Sequence, residues 1–513
     1  MRSVLLALAA LAAGATGCSL KFDSAGDVWP LVGAAVDPSG LERVVELAGQ
    51  APQLVAGADG ATWITTGIDE TTTTTRIRLV RLGDPAKEEK VEAPLDASAG
   101  YSYFEVGRTA IYGYYPAGVI IHHPGGDTRR IDLAMNIAEF THAPNGTAYA
   151  FVDGLTLRLR RTDGSYQRSF SSPASTGGVQ GYWVTWSDDG DHALVFLWRD
   201  ADQRFVSAIV DTRSEALVTL PDRAGLIYGH GEPQPEFGYL TDSPTALVCS
   251  SAVGLLAVPL DGSATTTLDP DCFSLPVVAQ LCGPNRTFDC PRGDRDPPGA
   301  DTYTRDYPLS ARQIVYLVGI SRPGPPRQLP SSWVARSTAL DGGNRDASQP
   351  FQGALLDVRA PHVATAHQLA GNYSYSAPAS VDGVPTVERG RALAFSGDGT
   401  RVRFLEHTAD LSGAGDLMTG PVGGPYELIA RNAVRYQELD DGRLIAVTNW
   451  IYALSHTRVV LIDEAARTVT RLIEGADAYV VLPGGNEALI RLQSTDQNRP
   501  DEWRRVPFPP RAR

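Results

Sequence analysis

The stretch Leu393-Ala394-Phe395-Ser396-Gly397-Asp398-Gly399-Thr400-Arg401-Val402-Arg403-Phe404 decides the fold. Leu393 and Phe395 alternate ahead of an Asp-Gly turn. Val402 and Phe404 alternate behind it, with Arg401 and Arg403 interleaved. Period-two alternation on both sides of Asp-Gly marks a β-hairpin, and the expected turn is type I′, with positive φ at both central residues. The phrase recurs as Phe140-Thr141-His142-Ala143-Pro144-Asn145-Gly146 and as Trp186-Ser187-Asp188-Asp189-Gly190, and more loosely around Asp441-Gly442 and Gly484-Gly485. Gly146 and Gly190 lie 44 residues apart, and Gly399, Gly442 and Gly485 follow at intervals of 43. That period is what one four-stranded propeller blade occupies.

A second element alternates with the first: apolar strand, polar loop, apolar strand. It runs from Ile77 to Val91, Val119 to Ile131, Leu155 to Phe170, Val206 to Leu220, Leu255 to Leu268, Ile314 to Leu329 and Val459 to Leu472. One turn phrase plus one such hairpin makes four strands. Counting them predicts an all-β chain forming a single propeller of eight blades, with seven or nine as alternatives. The propeller is expected over residues 31–495, with insertions at about 270–312 and 330–387, where alternation blurs, and a C-terminal tail over 496–513. Insertions in repeat proteins map to loops, often on the binding face. No second hairpin follows the final phrase at Tyr479 to Leu492. Residues 31–48, with Leu31 to Val36 and Val44 to Leu47 flanking Pro38-Ser39-Gly40, are therefore expected to complete that blade and remove an open edge.

The amino-terminal segment reads as an address. Arg2 supplies a positive charge, Val4 to Ala13 an apolar run, and Gly14-Ala15-Thr16-Gly17 a set of small residues ahead of Cys18. Ala15-Thr16-Gly17-Cys18 resembles the lipobox of bacterial lipoproteins. That resemblance implies a signal peptide over 1–17, acylation of Cys18, a tether over 18–30 and a partner in the membrane, reached through lipid. Ser19 stands where the sorting rule best known from enteric bacteria has Asp for inner-membrane retention, so the resemblance favours the outer membrane. An ordinary secretory signal with an incidental cysteine is the alternative. No later apolar run reaches the roughly 18 to 20 residues of a membrane span.

The 513 residues carry 45 Lys and Arg against 59 Asp and Glu, a formal charge of −14 that becomes −15 without Arg2. A chain this acidic is repelled by phosphate backbones, which sets nucleic acid aside as a partner. The 51 Gly and 36 Pro indicate many turns. Apart from Cys18, four cysteines remain: Cys249, Cys272, Cys282 and Cys290. An even set crowded into an exported chain reads as two disulfides, with three connectivities open. Their spacings of 23, 10 and 8 do not form the Cys-x2-Cys pairs that zinc sites favour.

The phrases Phe395-Ser396-Gly397-Asp398-Gly399-Thr400 and Trp186-Ser187-Asp188-Asp189-Gly190 resemble the repeats of TolB-like propellers. The resemblance covers most of residues 50 to 495 and implies a protein-binding or scaffold fold more than an activity. Chemistry is thinly signalled. No Gly-x-Ser-x-Gly elbow occurs, and only about 20 residues follow the last repeat, too few for a fused peptidase. His122 and His123 are adjacent in a strand and point to opposite faces, so they do not share a metal. His362 and His367 read as loop residues, and Asp188-Asp189-Gly190-Asp191 reads as a turn, not a calcium loop. Arg292-Gly293-Asp294 reads as an accident of a charged loop. The threonine runs Thr71 to Thr75 and Thr265 to Thr267 suit exposed strands. No catalytic residue, metal site or cofactor is assigned. The expected function is a lipid-anchored envelope propeller acting as a protein-binding or scaffolding module, with a protein or glycan as its ligand. The alternative is a carbohydrate-active enzyme with paired carboxylates in its channel.

Overall fold

The computed structural model describes residues 28–511, apart from 33–36, 48–51, 72, 96–101, 108, 116, 133–139, 144, 174–183, 188, 202, 215, 221–235, 240–242, 251–252, 273–310, 321–331, 352–353, 360, 367–376, 407–413, 450–456 and 493–500. The chain is all-β: among the described residues there are many small antiparallel sheets, one 3-10 turn at Pro38–Gly40 and no α-helix.

The sheets follow the chain in order. Five four-stranded meanders come first: unit 1 over 54–94, unit 2 over 103–132, unit 3 over 140–171, unit 4 over 185–219 and unit 5 over 236–269. Unit 6 shows three strands, Ile314–Ile320, Ser332–Thr338 and Asp346–Ala347. A seven-stranded sheet over 354–433 is two such meanders sharing one long strand, Val384–Phe395. Residues 384–390 of that strand pair backwards with Ala377–Val381, closing unit 7. Residues 390–395 pair forwards with Arg401–Glu406, opening unit 8. Unit 9 covers 435–474, and unit 10 begins at Ala476.

Apolar clusters join each unit to the next, because alternate residues of every strand face opposite neighbours. Leu79 of unit 1 clusters with Ile111 of unit 2, and Leu159 of unit 3 with Val210 of unit 4. Tyr114 and Phe140 join units 2 and 3, Ile209 and Val248 units 4 and 5, Leu255 and Tyr316 units 5 and 6, and Ala335 and Val363 units 6 and 7. The series continues through Val381 with Phe404, Leu417 with Val460, and Leu472 with Ile490. The last cluster places Trp503 and Ala478 of unit 10 against Ile64 of unit 1.

The closure combines both ends of the chain. Unit 10 takes Ala476–Val481, Glu487–Leu492 and Asp501–Pro507 from the C-terminal side and Arg43–Leu47 from the N-terminal side. The stretch 496–513, expected as a tail, thus contains a strand, and one N-terminal strand, not a hairpin, completes the sheet. Leu31–Val32 goes elsewhere, pairing in parallel with Thr468–Glu474 on unit 9. Ahead of it, Trp29 is buried against units 8 and 9.

Two further expectations change. The stretch 330–387 is not an insertion: it contains the strands Ser332–Thr338, Ala354–Arg359, His362–Ala366 and Ala377–Val381. The 270–312 stretch lies mostly outside the described residues. The diagnostic turn is also not type I′. In the loop from Ser396 to Arg401 only Gly399 has positive φ, at 73°, and its N–H donates to the Ser396 carbonyl. That is a type I turn followed by a left-handed glycine, the usual core of a four-residue hairpin loop. Asp398 fixes it by accepting from the Ser396 hydroxyl and from the Thr400 N–H and hydroxyl.

Candidate functional site

Where chemistry-bearing side chains converge on a solvent-exposed sheet edge, they do so between units 2 and 3. Strand Tyr103–Val106 pairs with Ile111–Tyr115 so that Tyr103 stands opposite Tyr114 and Glu105 opposite Tyr112. Alternation sends Phe104, Ile111 and Tyr115 toward unit 1 and leaves Tyr103, Glu105, Tyr112 and Tyr114 facing unit 3. Unit 3 answers with Phe140 and His142 from its first strand and Tyr149 and Phe151 from its second.

The rings pack in series. Tyr103 stacks on Tyr114 with centroids 4.6 Å apart, and Tyr112 stacks on His142 at 3.5 Å. Tyr114 meets Phe140 edge-on at 6.2 Å, and Phe140, Tyr149 and Phe151 continue the row to the Arg160 guanidinium, 5.3 Å above the Phe151 ring. Tyr112 and Tyr114 are buried, while Tyr103 is 43% exposed.

Polar groups lock this arrangement. The Tyr112 hydroxyl donates to the Ala143 carbonyl at 2.9 Å, in the first turn of unit 3. The Tyr114 hydroxyl donates to Glu105 Oε2 at 3.1 Å, and His142 Nε2 lies 3.4 Å from the same oxygen. The His142 hydrogen bond holds the Glu105 carboxyl below its usual range despite partial burial. Burial, reinforced by the Glu105 charge, pushes the Tyr112 and Tyr114 phenols up, so both remain hydrogen-bond donors. The site can present an aromatic face beside an ionised carboxylate.

Carboxylates on other first strands are engaged by neighbouring units or by their own sheet. Asp357 accepts from the Phe395 N–H at 2.6 Å. Glu438 accepts from the Gly397 N–H at 2.9 Å and pairs with Arg403 at 3.0 Å. Arg403 also pairs with Glu464 at 2.5 Å. Asp477 is gripped by Arg491 through two bonds of 2.7 and 2.8 Å.

Cys249 and Cys272 form a disulfide with Cα atoms 5.7 Å apart, buried between units 5 and 6. Cys18, Cys282, Cys290, His367, Asp188 and the Arg292-Gly293-Asp294 tripeptide lie outside the described residues. His122 Nε2 contacts Glu89 at 2.8 Å, whereas His123 Nδ1 faces the Thr109 carbonyl, so the two imidazoles part as alternation requires. His362 Nδ1 meets Asp382 at 2.7 Å. Asp189 accepts from the Ser187 hydroxyl and the Asp191 N–H, which is turn chemistry. Among the described residues, no group of three or more His, Cys, Asp or Glu side chains is placed to hold a metal ion, and no helix is long and apolar enough to cross a membrane. Sequence reasoning missed the Tyr103, Glu105 and His142 cluster. Its signal was the aromatic density at alternate positions, Tyr103, Tyr112 and Tyr114.

The fold and site define an all-β chain of face-packed antiparallel sheets with an aromatic, acidic edge. No family model matches the chain, and no curated protein does. Solved structures similar to it include a putative TolB from Agrobacterium tumefaciens, 16% identical, covering 55% of this chain and 91% of that one with a TM-score of 0.25. The β-propeller domain of the trilobed protease from Pyrococcus furiosus is 9% identical, over 71% and 94%, with a TM-score of 0.26. An oligogalacturonate lyase in complex with manganese is 10% identical, over 91% and 98%, with a TM-score of 0.29.

Proposed function

We propose that the ten units are the blades of one closed propeller, held at the bacterial envelope by lipid on Cys18, with the outer membrane favoured, and acting as a protein-binding or scaffolding module. The ring reading rests on the ten apolar clusters, each linking consecutive units, with the tenth linking the last unit to the first. The observation that carries the binding reading is the contrast among first strands. Asp357, Glu438 and Asp477 are tied down by protein donors. Asp357 and Asp477 are also buried, whereas Glu105, though it accepts from the Tyr114 hydroxyl and lies beside His142, stands exposed next to Tyr103. A channel enzyme of the carbohydrate-active kind needs two carboxylates facing a common substrate atom; a binding edge needs only the exposed pair.

The test places a photoreactive amino acid at Tyr103 in the full-length chain expressed in a bacterial envelope. A discrete cross-linked protein is expected. Absence of any protein adduct, together with depolymerisation of a purified polysaccharide by the same chain, overturns the reading. Mass spectrometry of the mature amino terminus tests the anchor, which fails if an unmodified peptide begins anywhere other than Cys18.

A further inference from the structure

Residues 28–32 are fastened to units 8 and 9 by contacts of several kinds. Val28 and Trp29 donate their N–H groups to the Ile429 carbonyl at 3.0 and 3.4 Å, and the Pro30 carbonyl accepts from the Val469 N–H at 3.0 Å. Leu31 and Val32 then pair with Val469 and Thr470, at the end of the strand order in the sheet of unit 9. The Trp29 indole is buried in the cluster shared by units 8 and 9, with the Arg467 guanidinium 5.5 Å from its ring centroid. Five consecutive residues fixed in this way belong to the body, although they follow directly on the expected tether.

The exposed side chains of this segment are apolar. Val28, Leu31 and Val32 are each at least 40% exposed, and they make up three of the six exposed large apolar side chains among the described residues. The other three, Ile68, Tyr103 and Val384, are dispersed over units 1, 2 and 7. Of the six, only those at 28–32 form a group. The ion pairs flanking them cancel: Arg467 with Glu427, and Arg471 with Glu474. The repulsion that a chain of net charge −14 meets at anionic headgroups is therefore not focused on this edge. Val28 follows Cys18 by ten residues, which span at most about 33 to 36 Å when fully extended.

We infer that residues 28–32, with the edge of unit 9 that carries them, are the face the body lays on a lipid bilayer, with Val28, Leu31 and Val32 entering its interfacial layer. An outermost strand keeps backbone groups that need water, so the contact is with the hydrated interface and not with the hydrocarbon core. Alternation turns Leu31 and Val32 to opposite faces of the strand, and an edge laid on the interface seats both. The inference rests on the Cys18 anchor and names the face of the body that the anchor brings to the membrane.

A photoreactive amino acid is placed at Leu31, Val32, Glu474 or Val384 of the full-length chain in a bacterial envelope, and phospholipid adducts are measured by mass spectrometry after irradiation. Glu474 is an exposed residue at the end of the strand on which the segment pairs. Val384, at 60% the most exposed of the six, controls for exposure alone. Leu31, Val32 and Glu474 are expected to give adducts at least roughly five-fold above Val384. Trp29→Ala frees the segment, so the Glu474 adduct is expected to fall to the Val384 level while those at Leu31 and Val32 persist. Trp29→Phe, which keeps a ring, is expected to retain the Glu474 adduct. The inference is overturned if Leu31 and Val32 are joined to a protein or to a second copy of the chain instead of lipid, if Val384 matches them, or if Trp29→Ala leaves the Glu474 adduct unchanged. Phospholipid adducts on a chain whose Cys18 is unmodified sink the anchor and leave the contact. A lipidated Cys18 without adducts at Leu31 or Val32 sinks the contact and leaves the anchor.

Discussion

The Arg504 guanidinium donates to the Leu41 carbonyl at 3.0 Å, a bond between residues 463 apart in sequence. It lies beside the pairing of Arg43–Leu47 with Asp501–Pro507, which covers the edge of unit 10. Val44 packs with Trp503 and Ile64 in the cluster that joins units 10 and 1. A chain beginning at Gln50 loses that strand and uncovers Trp503, which is fully buried in the intact protein. Its first unfolding transition in urea is expected to weaken by about 3 kcal/mol, with red-shifted tryptophan fluorescence before unfolding. A chain beginning at Val28 retains both. Equal midpoints for the two chains remove the closure from the account of stability.

Asp477 and Arg491 form a buried pair within unit 10, with the Asp477 side chain 1% and the Arg491 side chain 10% exposed. Removing one partner strands the other charge in a poorly solvating interior. Asp477→Ala is therefore expected to cost about 3 to 5 kcal/mol, whereas the joint replacement Asp477→Leu with Arg491→Leu recovers most of the loss. Chemical denaturation of the wild type and the two variants measures the difference. If the double replacement is as unstable as Asp477→Ala, the pair has a role beyond charge compensation.

Asp398 supplies a pH dependence with a definite sign. The Ser396 hydroxyl, then the Thr400 N–H and hydroxyl, lower its pKa from 3.8 to about 2. The folded carboxylate binds a proton less readily than the unfolded one, so its contribution is complete above pH 3.8 and disappears as the pH falls through about 2. Solvent screening at this exposed turn limits the effect to a few tenths of a kcal/mol. Asp398→Asn keeps an acceptor oxygen and removes the titration. Urea midpoints of the two proteins are expected to converge between pH 4 and 2, and parallel curves refute the assignment.

The turn phrase made the repeat legible because its cause is local. Gly146, Gly190, Gly399, Gly442 and Gly485 all have positive φ, at the first turns of units 3, 4, 8, 9 and 10. Units whose first turn uses other residues escape the same reading: unit 2 turns between Gly107 and Ala110. A count of phrases therefore gives seven to nine, with eight as the central value, whereas the described residues form nine sheets, one of them a double meander. The boundary between units 7 and 8 was illegible for another reason. Val384–Phe395 serves both, and bulges shift its register on either side, so no single alternation runs through it. The candidate site joins Glu105 to His142, 37 residues away in the next unit. No pattern within either strand specifies that meeting; packing between sheets does.

The turns of neighbouring units also touch, which sets apart glycines that look alike in sequence. Gly60 and Gly190 both close first turns with positive φ, 74° and 66°. A Cβ on Gly60 meets nothing within 4 Å. On Gly190 it would lie 2.3 Å from Thr147 Oγ1 and 2.8 Å from Asn145 Oδ1 of the preceding unit. Those atoms cannot retreat freely: Thr147 Oγ1 donates to Asn145 Oδ1 at 2.8 Å, and Asn145 Nδ2 donates to the Asp189 carbonyl at 2.6 Å. Gly60→Ala is expected to cost about 1 kcal/mol, the left-handed backbone penalty alone. Gly190→Ala adds the steric overlap and the loss of the interlock, for about 2 to 3 kcal/mol in all. Urea denaturation of the two variants decides the matter, since equal losses mean that the contact between turns carries no energy and the repeat is held together by its apolar clusters alone.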